Sequence, residues 1–213
     1  MATTNETYPA KLDIDYKQEH DRVTTFFRLL WAVPIMAVFS VLTSSGYVSF
    51  ATEHSRAASS GGASLVGGLA AATALMIIFR QRYPRWWFDF ALELNRFSVR
   101  VFSYLFLLTD RYPSTVDKQA VHLDITYPDA KQGLNRWLPL VKWLLALPHY
   151  IVLAFLVVAA AFVTIYAWFT ILFTGKYPQG AFDFVVGVMR WGMRVSAYAF
   201  LLTTDEYPPF SVS

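Results

Sequence analysis

Residues 137–173 read WLPLVKWLLALPHYIVLAFLVVAAAFVTIYAWFTILF, 37 residues in which Lys142 is the only charged side chain. As a single helix at ~1.5 Å per residue this run would be about 55 Å long, against a bilayer core of ~30 Å. It must either double back as a tight hairpin or bend at Pro148, leaving an interfacial arm before one span. The want of a polar turn residue favours the bend. In either form, a run this long and apolar points to a membrane protein.

The composition agrees. Of the 213 residues 55% are apolar, 17% aromatic and 15% charged, with a mean hydropathy of +0.37. Soluble domains are about 25% charged. The net charge of +3 is too small to suggest nucleic-acid binding, and without cysteine the chain has no disulfide, thiolate nucleophile or thiolate metal site. Residues 1–21 are polar and lack the short apolar core of a cleavable signal, so the first apolar stretch is expected to serve as an anchor.

Outward from this run, the same phrases occur twice. Leu12-Asp13-Ile14-Asp15-Tyr16 returns as Leu123-Asp124-Ile125-Thr126-Tyr127, and Tyr83-Pro84 with Phe88-Asp89-Phe90 returns as Tyr177-Pro178 with Phe182-Asp183-Phe184. Arg96, Arg100 and Tyr104 correspond to Arg190, Arg194 and Tyr198 at one offset of 94. Such ordered matches predict an internal duplication, residues 1–113 and 114–213. Pro34 to Tyr83 covers 49 positions but Pro148 to Tyr177 only 29, so the first unit carries an insertion, the Ser/Gly/Thr-rich loop 43–62. Insertions settle in turns, which favours a hairpin at the matching point near Val157–Ala161.

Charge placement then chooses a topology. With each unit a helical hairpin followed by a helix along the membrane surface, all of the 18 Lys/Arg except Arg56 fall on one side. Cytoplasmic loops carry that excess. The expected fold class is therefore an all-α integral membrane protein: two tandem helical-hairpin repeats, each followed by an amphipathic interfacial helix, with a small cytoplasmic β-sheet. Four spans, near 24–42, 61–79 and within 137–173, leave both termini in the cytoplasm and place the protein in the cell (inner) membrane. The sheet is expected from the polar/apolar alternation of residues 11–16 and 121–127.

The third helix of each unit carries a charged stripe. At 100° per residue Asp89, Glu93, Arg96, Arg100 and Ser103 fall within about 80°, and Asp183, Gly187, Arg190 and Arg194 repeat the pattern. Such a stripe suits a helix at headgroup level with arginines reaching phosphates, or salt-bridged internally. Arg96, Arg100, Arg190 and Arg194 are the candidate anion- or lipid-binding residues, the second pair the less neutralised because Gly187 stands where Glu93 does. Tyr-Pro occurs six times and marks helix boundaries, since the residue before proline is pushed out of the helical region. Of the four histidines, His149 after Pro148 is the candidate for a proton relay, with a buried histidine bonded to a neighbour as the plainer reading. Asp13-x-Asp15 is explained by strand alternation, and neither a metal site nor a cofactor is expected.

The segment Trp168-Phe169 through Thr174-Gly175-Lys176-Tyr177-Pro178, followed by Phe182-Asp183-Phe184, Gly187-Val188, Arg190-Trp191, Arg194-Val195, Ala197-Tyr198 and Tyr207-Pro208-Pro209-Phe210, resembles a family of bacterial membrane proteins catalogued as a domain of unknown function, family 4389. Pro148-His149 fits as well. The resemblance covers the second unit and, more loosely, the first, which has Arg85-Trp86-Trp87 in place of Gln-Gly-Ala. It implies membrane location and fold, and carries no activity. The functional expectation is a non-enzymatic integral membrane module that binds anionic lipid, a partner membrane protein or a second copy of itself. The alternatives are a small channel or transporter with a two-fold repeat and an enzyme acting on lipid.

Overall fold

The computed structural model describes residues 8–43, 65–114, 119–131 and 133–212. The two alternating stretches do pair, as strands β1 (Ala10–Ile14) and β2 (Val121–Ile125), antiparallel with Leu12 opposite Leu123. Period-two patterning puts Ala10, Leu12, Ile14, Val121, Leu123 and Ile125 on one buried face, and Lys11, Asp13, His122 and Asp124 on the exposed one. A two-stranded sheet is marginal alone. Here two 21-residue helices cover its apolar face: α4 (Arg85–Leu105) packs on β2 and α7 (Gln179–Ala199) packs on β1. Both helices begin directly after a Tyr-Pro, with Pro84 and Pro178 extended at their N-caps.

The remaining helices lie away from the sheet. In chain order they are α1 (Arg22–Phe26), α2 (Arg28–Thr43), α3 (Leu65–Arg80), α5 (Pro139–Leu145) and α6 (Leu147–Thr174). α6 packs on α7, α2 on α4, and α1 on α6. α6 turns His149, Leu153, Leu156, Ala160, Val163, Ala167 and Ile171 toward the protein, a three–four spacing that keeps one seam against α7. Ile151, Phe155, Phe162 and Phe173, on the opposite side, are more than half exposed.

This architecture corrects the expected fold. Among the described residues only α6 is long and apolar enough to cross a membrane, so the multi-span arrangement of hairpin repeats does not hold. α6 runs without interruption for 28 residues, about 42 Å, through the expected turn at Val157–Ala161. No glycine or proline lies between His149 and Thr174 to end the helix, and helical propagation continues where nothing opposes it. The run bends instead at Ala146, with Pro148 in the first turn of α6, where its missing N–H costs nothing.

Among the described residues α2 and α3 have 16 residues each, about 24 Å and short of ~30 Å. Arg28, Ile35 and Phe39 of α2 meet the C-terminal half of α4, while Thr73 of α3 meets Trp87 in its first turn. The two short helices thus follow one another along α4 as α6 follows α7. All of the loop 43–62 except Thr43 lies outside the described residues. α7 also differs from an amphipathic surface helix. Val185, Val186, Gly187 and Val188 are consecutive and all buried, so α7 is enclosed on every side there.

Candidate functional site

Antiparallel pairing alternates which backbone groups face the partner strand. The bonds Asp15 N–H to Ala120 O and Thr126 N–H to Pro9 O set the phase. Leu12 and Leu123 then form a pair whose carbonyls point outward, to the two open edges of the sheet. The stripe arginines meet them there. Arg96 Nε donates to Leu123 O at 3.0 Å, with Glu93 at 2.6 Å and Asp124 at 3.3 Å. Arg190 Nε donates to Leu12 O at 3.0 Å, with Asp13 at 3.7 Å. Each arginine closes an edge that would otherwise be open to pairing.

One turn on, Arg100 donates to Ser114 O at 2.7 Å, and Arg194, 2% exposed, to Ser211 O at 3.4 Å. The four arginines therefore sit in two separate pairs, each bound to protein carbonyls. Gly187 has a different role from the one its missing acid suggested. A Cβ there would meet Val212 O at 2.2 Å, so the C-terminal segment crosses α7 at this glycine.

That segment also encloses His149, which is fully buried. Phe210 stacks on its ring at 3.9 Å, Tyr207 lies at 4.8 Å, and Trp191 Nε1 is 3.1 Å from Nδ1. An indole N–H only donates, so Nδ1 accepts and the imidazole proton sits on Nε2. Nε2 has no hydrogen-bond partner among the described residues. His149 is thus a buried histidine bonded to a neighbour inside an aromatic enclosure.

Replacing Gly187 with alanine should push residues 210–212 off α7 and uncover His149. Overpacking of this kind costs about 1–3 kcal/mol. The check is modification by diethyl pyrocarbonate followed by peptide mapping. His149 should be protected in the parent and modified in Gly187→Ala, and equal protection in both would show that the segment adapts in place.

Two buried ion pairs were missed from the sequence. Arg28 donates to Tyr104 O at 2.9 Å, to Thr109 O at 2.7 Å and to Asp110 at 2.5 Å. Lys17 and His20 each lie 3.0 Å from the same carboxylate. Burial alone would raise the Asp110 pKa, but the hydrogen bond and charge of His20, with Lys17 and Arg28, hold it well below the usual carboxylate range. Lys142, 1% exposed, donates to Thr204 O at 2.6 Å and lies 2.7 Å from Asp205. Arg28 and Lys142 each lie over a tyrosine ring, Tyr104 at 4.6 Å and Tyr198 at 5.1 Å. The available signal was their isolation: each is the lone cation of its apolar run, six residues before a proline. No cluster of His, Asp and Glu able to hold a metal is present among the described residues.

Residues 137–211 match the family model described as domain of unknown function (DUF4389). The matched span takes in α5, α6, α7 and the C-terminal segment over His149, and leaves the sheet outside. No curated protein and no solved structure matches the chain.

Proposed function

We propose that the chain is a non-enzymatic membrane module that lies in one leaflet of a bacterial membrane and binds anionic lipid there. The observation that carries this reading is the opposition of two faces. The outer face of the sheet presents Lys11, Asp13, His122 and Asp124 to solvent. On the far side of α4 and α7, α6 presents a row of phenylalanines, and only 11% of its most apolar window is buried. An apolar surface of that length has no resting place in water.

A position across the bilayer fits poorly with the same geometry. α6 lies alongside α7, and Arg190, near the middle of α7, holds β1. If α6 stood upright, the charges of the sheet would lie near the bilayer midplane, at about 3 kcal/mol each. Lying flat, α6 buries its outer face among acyl chains while the sheet stays in water.

The proposal includes two tandem copies of one unit. Contacts recur at corresponding positions: Arg96 and Arg190 on the carbonyls of Leu123 and Leu12, and the Tyr127 and Tyr16 hydroxyls on the carbonyls of Tyr83 and Tyr177. In each case a side chain of one unit holds backbone of the other.

Depth measurement tests the reading. Single cysteines at Leu147, Phe162 and Phe173 in this cysteine-free chain would carry an environment-sensitive fluorophore in vesicles, quenched by lipids labelled at different depths. A flat helix gives three similar, shallow depths. Shallow ends with a deep Phe162 would mean that α6 crosses, and three unquenched, water-exposed sites would remove the membrane reading altogether.

A further inference from the structure

A groove of about 750 Å³ lies where α3 ends and α4 begins, facing the segment after β2. Four cations line it, Arg80, Arg82, Arg85 and Lys131, with Asp129 the lone acid. All four are exposed, and none has an ion pair among the described residues. Like charges gathered around one concavity repel one another, and among the lining residues only Asp129 is of opposite sign.

The walls are fixed. Tyr127 donates its hydroxyl to Tyr83 O, and the Arg85 guanidinium lies over the Tyr127 ring at 4.9 Å. Phe79 and Trp86, beside the groove in sequence, are 72% and 69% exposed. Aromatic side chains of this kind belong at the boundary between acyl chains and water. The corresponding end of the other unit differs: Thr174, Lys176 and Gln179 stand where Arg80, Arg82 and Arg85 do. There Glu19 bridges Lys176 through the backbone, and the Arg22 side chain packs at Gly175.

We propose that this groove binds the phosphate of a phosphate ester, presented by an anionic lipid headgroup. Guanidinium groups match phosphate oxygens in paired geometry, and aromatic flanks hold the groove at headgroup depth. The source of the phosphate rests on the membrane reading above; the anion chemistry of the groove does not.

The experiment compares the full chain with Arg80→Gln/Arg82→Gln and with the charge-matched control Arg22→Gln/Lys176→Gln, each first shown to unfold at the parent's temperature. All of these side chains are outside the core, so folding should be unaffected. Partition is measured by flotation with phosphatidylcholine vesicles containing phosphatidylglycerol. Each cation at an anionic surface strengthens binding about fivefold. The groove variant should therefore bind about thirtyfold more weakly and the control less than threefold. Equal losses in both would overturn the site, leaving only net charge at work.

A second arm uses inorganic phosphate and glycerol phosphate in detergent without lipid, read by protection of Arg80 and Arg82 from phenylglyoxal. Protection at millimolar concentration, without preference for phosphatidylglycerol vesicles, would keep the phosphate site and replace the lipid by a soluble ester. The absence of both protection and vesicle preference would overturn the proposal.

Discussion

Replacing Arg28 with methionine should destabilise the protein by about 3–5 kcal/mol, the usual result of removing one partner of a buried ion pair. The guanidinium is 3% exposed and holds three acceptors: the Tyr104 and Thr109 carbonyls and Asp110. Methionine fills much of the volume and satisfies none of them. The two carbonyls end the α4 unit, so their loss should loosen the end of α4 from α2. For a domain of this size 1 kcal/mol moves the melting temperature by about 2–4 °C, so a fall of roughly 6–20 °C is expected. Tryptophan fluorescence in mild detergent reads it, since Trp168 donates to Thr25 O nearby. A shift under about 3 °C would show that water reaches Asp110 and replaces the arginine.

The same cluster sets an acid limb. The folded Asp110 pKa lies below its ordinary value of 3.8, so below about pH 5 the unfolded chain binds more protons than the folded one. Its contribution is complete above that range and is lost as pH falls toward the folded value. The Asp110→Asn variant should be less stable at neutral pH and should lose less on acidification. A parallel acid limb in parent and variant would mean that other carboxylates control it.

The strands were legible because one buried face imposes strict alternation, visible within five residues. The Tyr-Pro boundaries were legible because proline acts on its immediate neighbour, and Pro84 and Pro178 do begin α4 and α7. The hairpins were a misreading. Pro34 to Tyr83 is a longer interval than Pro148 to Tyr177, but spacing alone does not say whether a chain turns back. α6 runs straight through Val157–Ala161, with no glycine or proline to end it, and α2 and α3 meet successive stretches of α4. The arginine stripes were seen, and which carbonyls they grip was not. Leu12 and Leu123 offer backbone carbonyls, which any residue carries, so no letter in the sequence announces them. Arg28 and Asp110 lie 82 positions apart, and only the closed fold brings them together.

Lys142→Met is the sharper test of how α5 is held. Lys142 is the only charge in residues 137–173, and a methylene stem ending in an ammonium is costly to bury unless that end is engaged. Here it is engaged by Thr204 O and Asp205, which brings α5 against the segment following α7. Burial depresses the Lys142 pKa and Asp205 opposes that shift, so the pair depends on both members. Methionine keeps the packing beneath Tyr198 and removes the charge. The Asp205 side chain is 25% exposed and also accepts the Asn135 backbone N–H, so it recovers more solvation than Asp110, which is 13% exposed. The cost should therefore fall at the lower end of the range for buried pairs, about 3 kcal/mol. The loss should also be local. α5 is short and joins α6 through a bend, and without the ammonium little ties it to the Thr204–Asp205 turn. Hydrogen exchange should accelerate in residues 139–145 while α6 beyond Leu153 stays protected. Acceleration along the whole of α6 would instead show that Lys142 supports the long helix itself.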